Sequence, residues 1–279
     1  MVRRRKKMKK FFLFFCCYPL VSLSQEAISV SDFSFYKKIS GSIETSIESN
    51  FYSPSSNEHA LSSSLDMILA YTNSDKMTTN LVGGASKDLT DERTQAFNDT
   101  TIYLNRTLGS WKEHASFFGL LGTIIPTSET SRETNTLQGS FFISPRVILD
   151  LKAIGLKYMT FRYYLGATLN FHEYKYNIEN KANNQVSSSH TFTLTYNPLE
   201  KIGLSYILKM VQGWTYAGNL SKPSYASALS LDGNIIKNLD YSVGIATEAS
   251  MYKATGNDSN IKIYDSVKTT MFVSLTTSF

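Results

Sequence analysis

The chain has 279 residues, of which 42% are hydrophobic and 18% are charged, and its formal net charge is +5. After residue 25 no apolar stretch approaches the roughly 20 residues that a transmembrane helix needs, which excludes a helical membrane protein. The length suits a single large domain, and the excess of positive charge is concentrated at the amino-terminus.

The amino-terminal residues have the three parts of a secretory signal peptide. Residues 1–10 hold seven Lys or Arg and no acid, and residues 11–21 form an apolar run. Ser22 and Ser24 then supply the small residues that precede a cleavage site. The apolar run is about half as long as a membrane-spanning helix. These features predict that residues 1–24 are a signal peptide.

Two other interpretations of this segment are weaker. Residues 3–7 could form a nucleic-acid patch, but a basic cluster directly before an apolar run is typical of export. Cys16 could carry a lipid, but Phe15 stands where a small residue should precede it. Cleavage would leave 21 Lys and Arg against 23 Asp and Glu, and no cysteine. We therefore expect no nucleic-acid partner and no disulfide in the exported protein.

Alternation of apolar and polar residues recurs along the rest of the chain, which is the period of a half-buried β-strand. The clearest segment alternates Phe161, Tyr163 and Leu165 with Arg162 and Tyr164. Twelve segments show the pattern: 39–48, 61–71, 77–85, 100–108, 115–125, 137–151, 161–172, 192–196, 202–210, 225–231, 241–251 and 267–279. An even number of strands is what a bacterial barrel with both termini in the periplasm requires.

The connections between these segments alternate in length. Those after odd-numbered segments are long and polar: 49–59, 86–95, 127–135, 175–189, 213–224 and 253–264. Those after even-numbered segments are short: 72–76, 109–114, 152–157, 197–201 and 234–240. Long loops at one rim and short turns at the other are typical of outer-membrane barrels. The sequence predicts an all-β fold, a closed antiparallel transmembrane β-barrel of about 12 strands with long extracellular loops and short periplasmic turns.

The last strand supports this fold through its ending. Its apolar parity includes Val273, Leu275 and the carboxy-terminal Phe279. This ending resembles the C-terminal assembly signal of bacterial outer-membrane β-barrel proteins. The resemblance implies location in the bacterial outer membrane, with outer-membrane lipid and the barrel-assembly machinery as partners. Residues 25–34 are then a short periplasmic segment, and residues 35–279 are the barrel.

Two residues fit the barrel pattern less well. Arg106 is a charge on the apolar parity, but it lies near the predicted periplasmic end of its strand, where it can reach lipid headgroups. Pro145 lies inside the sixth strand and cannot donate a ladder hydrogen bond. We expect a bulge or a local break at Pro145.

The polar parity faces the lumen and carries the candidate functional residues. It holds charges of both signs, and this balance argues against strong ion selectivity. Barrels of 8 strands are filled and barrels of about 16 to 18 hold water, so 12 strands fit either a narrow pore for small solutes or a salt-bridged plug. The candidate pore-lining residues are Glu44, Asp66, Arg146, Arg162, Lys209, Asp232, Glu248 and Lys268.

Enzymatic chemistry has little support in the sequence. The four histidines are scattered, although His172 and His190 flank one long loop and could approach each other. A phospholipase-like Ser–His pair on the barrel wall is not expected, because no outward strand position is assigned to histidine. A protease-like group of His172, Glu173 and His190 with Asp88 and Asp91 is better explained as loop solubility. We predict no catalytic residues, no metal and no cofactor, and the alternative to a pore is a non-conducting structural or surface-interaction barrel.

Overall fold

The computed structural model describes residues 38–53, 56–90, 95–112, 114–199, 201–253 and 258–279. The predicted signal peptide and the segment 25–34 lie outside these residues. The unit Ile39–Phe279 contains every strand of the described chain. Within the described part, no helix is both long and apolar enough to cross a membrane.

The described residues form thirteen strands. They are β1 (Ile39–Asn50), β2 (Leu61–Ser74), β3 (Met77–Asp88), β4 (Gln95–Phe97), β5 (Thr100–Trp111), β6 (Ala115–Ile125), β7 (Leu137–Asp150), β8 (Met159–His172), β9 (Asn184–Leu199), β10 (Ile202–Thr215), β11 (Ser224–Ile236), β12 (Leu239–Ser250) and β13 (Thr269–Ser278). Two short helical turns, Thr130–Thr134 and Leu151–Ile154, lie in the connections.

Twelve of these strands close into an antiparallel barrel. Each pairs with its neighbours in chain order, and β1 also pairs with β13, so the sheet has no free edge there. The short strand β4 is the exception: it pairs with Ala85–Lys87 of β3, beyond the part of β3 that pairs with β5. The predicted closed barrel of about 12 strands is confirmed, with one extra strand.

The outer face of the barrel is apolar and exposed. Nearly every barrel strand has large, exposed side chains at positions of the predicted apolar parity. They include Ile47, Leu65, Leu81, Ile102, Leu121, Phe141, Leu169, Leu204, Leu231, Val243 and Val273. Only four apolar residues of the described chain are buried, Ala115, Leu120, Tyr225 and Ala249. Such a protein has no large core to exclude water, and its stability depends on the closed hydrogen-bond ladder and on lipid around this belt.

The connections lie at two rims of different character. Ser74 and Met77, or Ile236 and Leu239, bound short turns at what we name the short-turn rim. The opposite end, the long-loop rim, carries the connections that the sequence predicts to be long. Arg106 pairs with Met77 at the start of β3, close to the short-turn rim, as expected.

Several predicted connections are longer than those in the structure, and two of the long loops are examples. The predicted loop 175–189 ends earlier, because β9 begins at Asn184, and the predicted loop 213–224 begins later, because β10 continues to Thr215. Apart from Val186, residues 184–189 are polar on both faces of the strand, so they show no repeated alternation. Their pairing with β8 and β10 determines their conformation instead.

Pro145 causes no bulge. The β7–β8 pairs stop at Ile143 with Ala167 and resume at Arg146 with Tyr164 in an unchanged register. On its other side Pro145 is opposite Gly119 of β6, within a continuous ladder. The missing donor therefore interrupts one ladder locally and leaves the alternation of the strand intact.

The connection between β12 and β13 folds back over the outside of the barrel. Its residues 258–265, here named the strap, cover outward-facing polar positions of β11 and β12. Ser227 Oγ donates to the Lys262 carbonyl at 2.9 Å, and Thr247 Oγ1 donates to the Ile263 carbonyl at 2.8 Å. The Lys262 N–H donates to the Tyr225 hydroxyl at 2.9 Å. The strap therefore buries Tyr225 and Thr247, each 1% exposed, at the long-loop rim.

Candidate functional site

The inner face of the barrel has two different sides. On β5 to β7 it carries large side chains, among them Tyr103, Leu120 and Phe142; the Tyr103 and Phe142 rings lie 6.4 Å apart and Leu120 is 2% exposed. On β9 to β13 the inner positions are mostly small or hydroxylated: Thr193, Thr195, Gly203, Ser205, Ala228, Ser230, Ser242, Gly244, Ser274 and Thr276. Large side chains occupy the first side of the lumen, and the second side leaves space.

A cavity of about 870 Å³ lies against this second side. Its lining includes Tyr158, Leu199 and Asn234, which are at or next to the short turns, so it opens at the short-turn rim. The lining also includes three of the predicted pore-lining residues, Glu44, Arg162 and Asp232. These three come from β1, β8 and β11, which are distant in the sequence.

The other predicted pore-lining residues lie outside this cavity. Asp66, Arg146, Lys209 and Glu248 belong to the inner face, as predicted, but they do not line this cavity. Lys268 is exposed and precedes β13, so its assignment to the wall of a strand is wrong. The alternation of residues 267–279 continues into the loop, and pairing begins only at Thr269.

Two acids of the inner face, Asp66 and Asp232, are hydrogen-bonded to neutral neighbours. Asn98 Nδ2 donates to Asp66 Oδ1 at 3.1 Å, and Ser64 Oγ donates to Asp66 Oδ2 at 3.3 Å. Ser242 Oγ donates to Asp232 Oδ1 at 2.6 Å. These bonds fix the carboxylates on the wall without neutralising their charge.

The bases of the inner face have no acidic partner among the described residues. The three ion pairs found there are all in loops: Lys181–Glu179, Lys253–Asp258 and Lys262–Asp265. Arg162 and Lys209 are exposed to solvent in the lumen. Arg146 is half-buried, with its guanidinium carbon 4.5 Å from the centre of the Tyr164 ring, a cation–π contact.

The charges of opposite sign on the inner face lie on different strands. Arg146, Arg162 and Lys209 lie on β7, β8 and β10, whereas the acids of the predicted set lie on β1, β2, β11 and β12. The two groups meet between β10 and β11, where Lys209 and Glu248 are both opposite Ala226, one from each side. The hydroxyl side of the cavity was not predicted, although Ser and Thr recur on the inward parity of the later strands and could have indicated it.

The sequence predicts no histidine at an outward strand position, and this prediction is wrong. His190 of β9 shares the outward parity of Phe192 and Leu194, and its Nδ1 lies 2.8 Å from the Tyr163 hydroxyl of β8. The loop boundary at Ser189 caused the error, because it placed His190 at a strand end. His172 is elsewhere, 3.3 Å from the Tyr216 hydroxyl, so the two histidines do not pair.

No protease-like or metal-binding group is assembled in the described chain. His172 and His190 have the separate partners given above, and Asp91 lies outside the described residues. No cluster of three or more metal-binding side chains occurs among the described residues.

Comparisons with known proteins bear on the fold. No protein-family model matches the chain, and no curated protein matches it. An outer membrane channel from Pseudomonas putida F1 is similar in structure, with a TM-score of 0.57 and 10% identity over 86% of this chain and 95% of that chain. The NanC porin gives a TM-score of 0.53 and 9% identity over 85% of this chain and 98% of that chain. The chain therefore has the fold of bacterial outer-membrane β-barrel channels, in agreement with the membrane location that its sequence predicts.

Proposed function

We propose that the barrel is a narrow channel for the passive passage of small solutes across the outer membrane. The observation that carries the proposal is the cavity of about 870 Å³, which Arg162 lines without an acidic partner among the described residues. Its lining combines hydroxyls and charges, such as Ser230 and Glu44, with apolar side chains such as Ile207 and Phe272.

The solvent exposure of Arg162 and its lack of an ion pair among the described residues favour a hydrated lumen over a filled one. A cation in a dry, filled barrel would need an ion pair, because an unpaired buried charge costs about 3–5 kcal/mol. Arg162 is exposed, so water can solvate its guanidinium. The large inner side chains Phe118, Leu120 and Phe142 reduce the free cross-section, which supports a narrow channel rather than a wide one.

The proposal gives the protein a non-enzymatic role. A channel and a porin are the two structural neighbours described above, and their likeness to this chain concerns the fold. Small solutes, outer-membrane lipid and the barrel-assembly machinery are the partners that this role requires. A non-conducting barrel that displays its long loops to other molecules is the alternative.

Single-channel recording of the refolded protein in a planar bilayer tests the proposal. Two neighbouring positions of β11 provide a matched pair of variants. Ala228 lines the cavity, and Leu229 belongs to the outward parity. We expect Ala228→Trp to reduce the unit conductance, because the indole occupies the lumen, and Leu229→Trp to leave it unchanged. Absence of conductance in the folded wild-type barrel would favour the non-conducting alternative.

A further inference from the structure

We propose that the lumen favours small zwitterions, such as an amino acid or a short peptide, over neutral molecules of the same size. This inference rests on the proposed channel and assigns its preferred class of solute. It follows from the position of Arg162 relative to Glu44 and Asp232, which line the same cavity.

Arg162 and Glu44 lie on opposite sides of the barrel. Between β1 and β8 the ring contains β2, β3, β5, β6 and β7 in one direction, and β13, β12, β11, β10 and β9 in the other. The two strands are therefore separated by five strands either way, which is the largest separation that a ring of twelve allows. A solute in the cavity has the guanidinium on one side and the carboxylate on the other.

Neither charge is cancelled by its neighbours. Across the ladder, Arg162 is next to Ile148 of β7 and Thr193 of β9, which are uncharged. Glu44 is next to Thr276 of β13 and to a second acid, Asp66 of β2. Neither residue therefore has a charge of opposite sign beside it in the ladder, and a field crosses the lumen between them. Lys201 and Asp240, which also line the cavity near the short-turn rim, are opposite in sign to each other.

Asp232 extends the acidic side toward β11. Its carboxylate is held by Ser242 Oγ at 2.6 Å, and Gly203, opposite it on β10, adds no side chain. The intervening inner positions, such as Ser230 and Ser274, carry hydroxyls that can replace part of the hydration shell of a solute.

This arrangement discriminates by the number and the sign of the charges on a solute. A zwitterion can direct its carboxylate toward Arg162 and its ammonium group toward Glu44 and Asp232, and so gains from both sides. A neutral sugar gains from neither. A simple ion is attracted to one side and repelled by the other. Because exposed charge pairs are weak, we expect a preference of about two- to fivefold.

Swelling of liposomes that contain the refolded protein measures this preference. The probes are γ-aminobutyrate as the zwitterion and arabinose as a neutral solute, each tested at equal osmolarity. We expect Arg162→Gln to lower the rate for γ-aminobutyrate about two- to fivefold relative to arabinose. Lys181→Gln is the matched control: it removes one positive charge from an exposed loop ion pair and should leave the ratio unchanged.

Exchanging the charges of residues 162 and 44 distinguishes two explanations of the preference. One is a field across the lumen, and the other is binding of the solute by Arg162 alone. Arg162→Glu alone makes both sides acidic and should abolish the preference. Adding Glu44→Arg together with Asp66→Asn and Asp232→Asn reverses the field, because no acid then remains beside residue 44 or on β11. A zwitterion can turn round in the reversed field, so the preference should return. An unchanged ratio in Arg162→Gln would overturn the inference. Failure of arabinose itself to enter through the folded wild-type barrel would instead overturn the proposed channel.

Discussion

Gly41 and Phe279 exchange two backbone hydrogen bonds of 3.0 Å, which complete the closure of β1 against β13. The Phe279 ring lies against Gly41: a Cβ on residue 41 would be 2.7 Å from Phe279 Cζ and 2.7 Å from the Ile68 carbonyl oxygen. The seam where the barrel closes thus combines a large ring on one strand with a residue that has no side chain on the next.

The first prediction follows from this contact. Gly41→Ala should destabilise the barrel by about 1–3 kcal/mol, because the added methyl group has to displace both the ring and a backbone carbonyl. Urea unfolding in lipid vesicles measures the loss. Gly109→Ala is the control, since a Cβ on residue 109 meets no atom within 4 Å. Equal stability of Gly41→Ala and wild type would show that the seam tolerates a side chain.

The second prediction concerns orientation in the membrane. We expect the long-loop rim to face the outside of the cell. Asn180 is exposed in the loop after β8, and Lys237 is exposed in the turn between β11 and β12. Asn180→Cys should react with an impermeant maleimide in intact cells, and Lys237→Cys should react only after lysis. The reverse pattern would invert the topology.

The third prediction compares two arginines of the inner face. Arg162→Ala should cost at most about 1 kcal/mol of unfolding free energy, because water already solvates the side chain. Arg146→Ala should cost up to about 2 kcal/mol, because it removes the contact with the Tyr164 ring. Urea unfolding of both variants in vesicles gives the two values. A loss of about 3–5 kcal/mol for Arg162→Ala would indicate a filled lumen.

The fourth prediction is that acid loosens the strap. Lys262 Nζ lies 2.7 Å from Asp265 Oδ2, and the Val267 N–H donates to Oδ1 at 3.1 Å. Both hold the pKa of Asp265 below its ordinary value of 3.8, the Lys262 bond most strongly. The stabilisation is therefore complete above the ordinary pKa and is lost as the pH falls through the lower folded value.

Hydrogen exchange of the Lys262 amide, which donates to Tyr225, reports on this loosening. After correction for intrinsic rates, its protection should decrease in acid, and Asp265→Asn should reproduce the decrease at neutral pH. Asp258→Asn serves as a control, because among the described residues the one ion pair of Asp258 is with Lys253, at 3.5 Å. Full protection in Asp265→Asn would mean that this carboxylate does not hold the strap.

Alternation made most of the barrel predictable, because one face of each strand meets lipid and the other meets the lumen. Leu81 and Val273 were assigned correctly by this pattern alone. It failed for residues 184–189, which apart from Val186 are polar on both faces, and this failure concealed His190 on the outer wall.

The candidate site was predictable by residue but not by arrangement. Parity placed Glu44 and Arg162 in the lumen, but their opposition depends on the order of all twelve strands in the closed ring. The space beside them depends on which inner positions are small. The opposition of the two charges and the space between them are properties of the whole ring, so the pattern of a single strand does not predict them.

The strap also fixes the depth at which the barrel sits in the bilayer. On the outer wall its backbone accepts hydrogen bonds from the hydroxyls of Ser227 and Thr247. The strap itself is irregular backbone, and irregular backbone is not tolerated where it would face hydrocarbon. Acyl chains must therefore end on the short-turn side of Thr247. Ile245 and Val243, the next outward residues of β12, then contact the hydrocarbon nearest the headgroups. The position of the strap therefore marks the outer boundary of the hydrocarbon on the barrel wall.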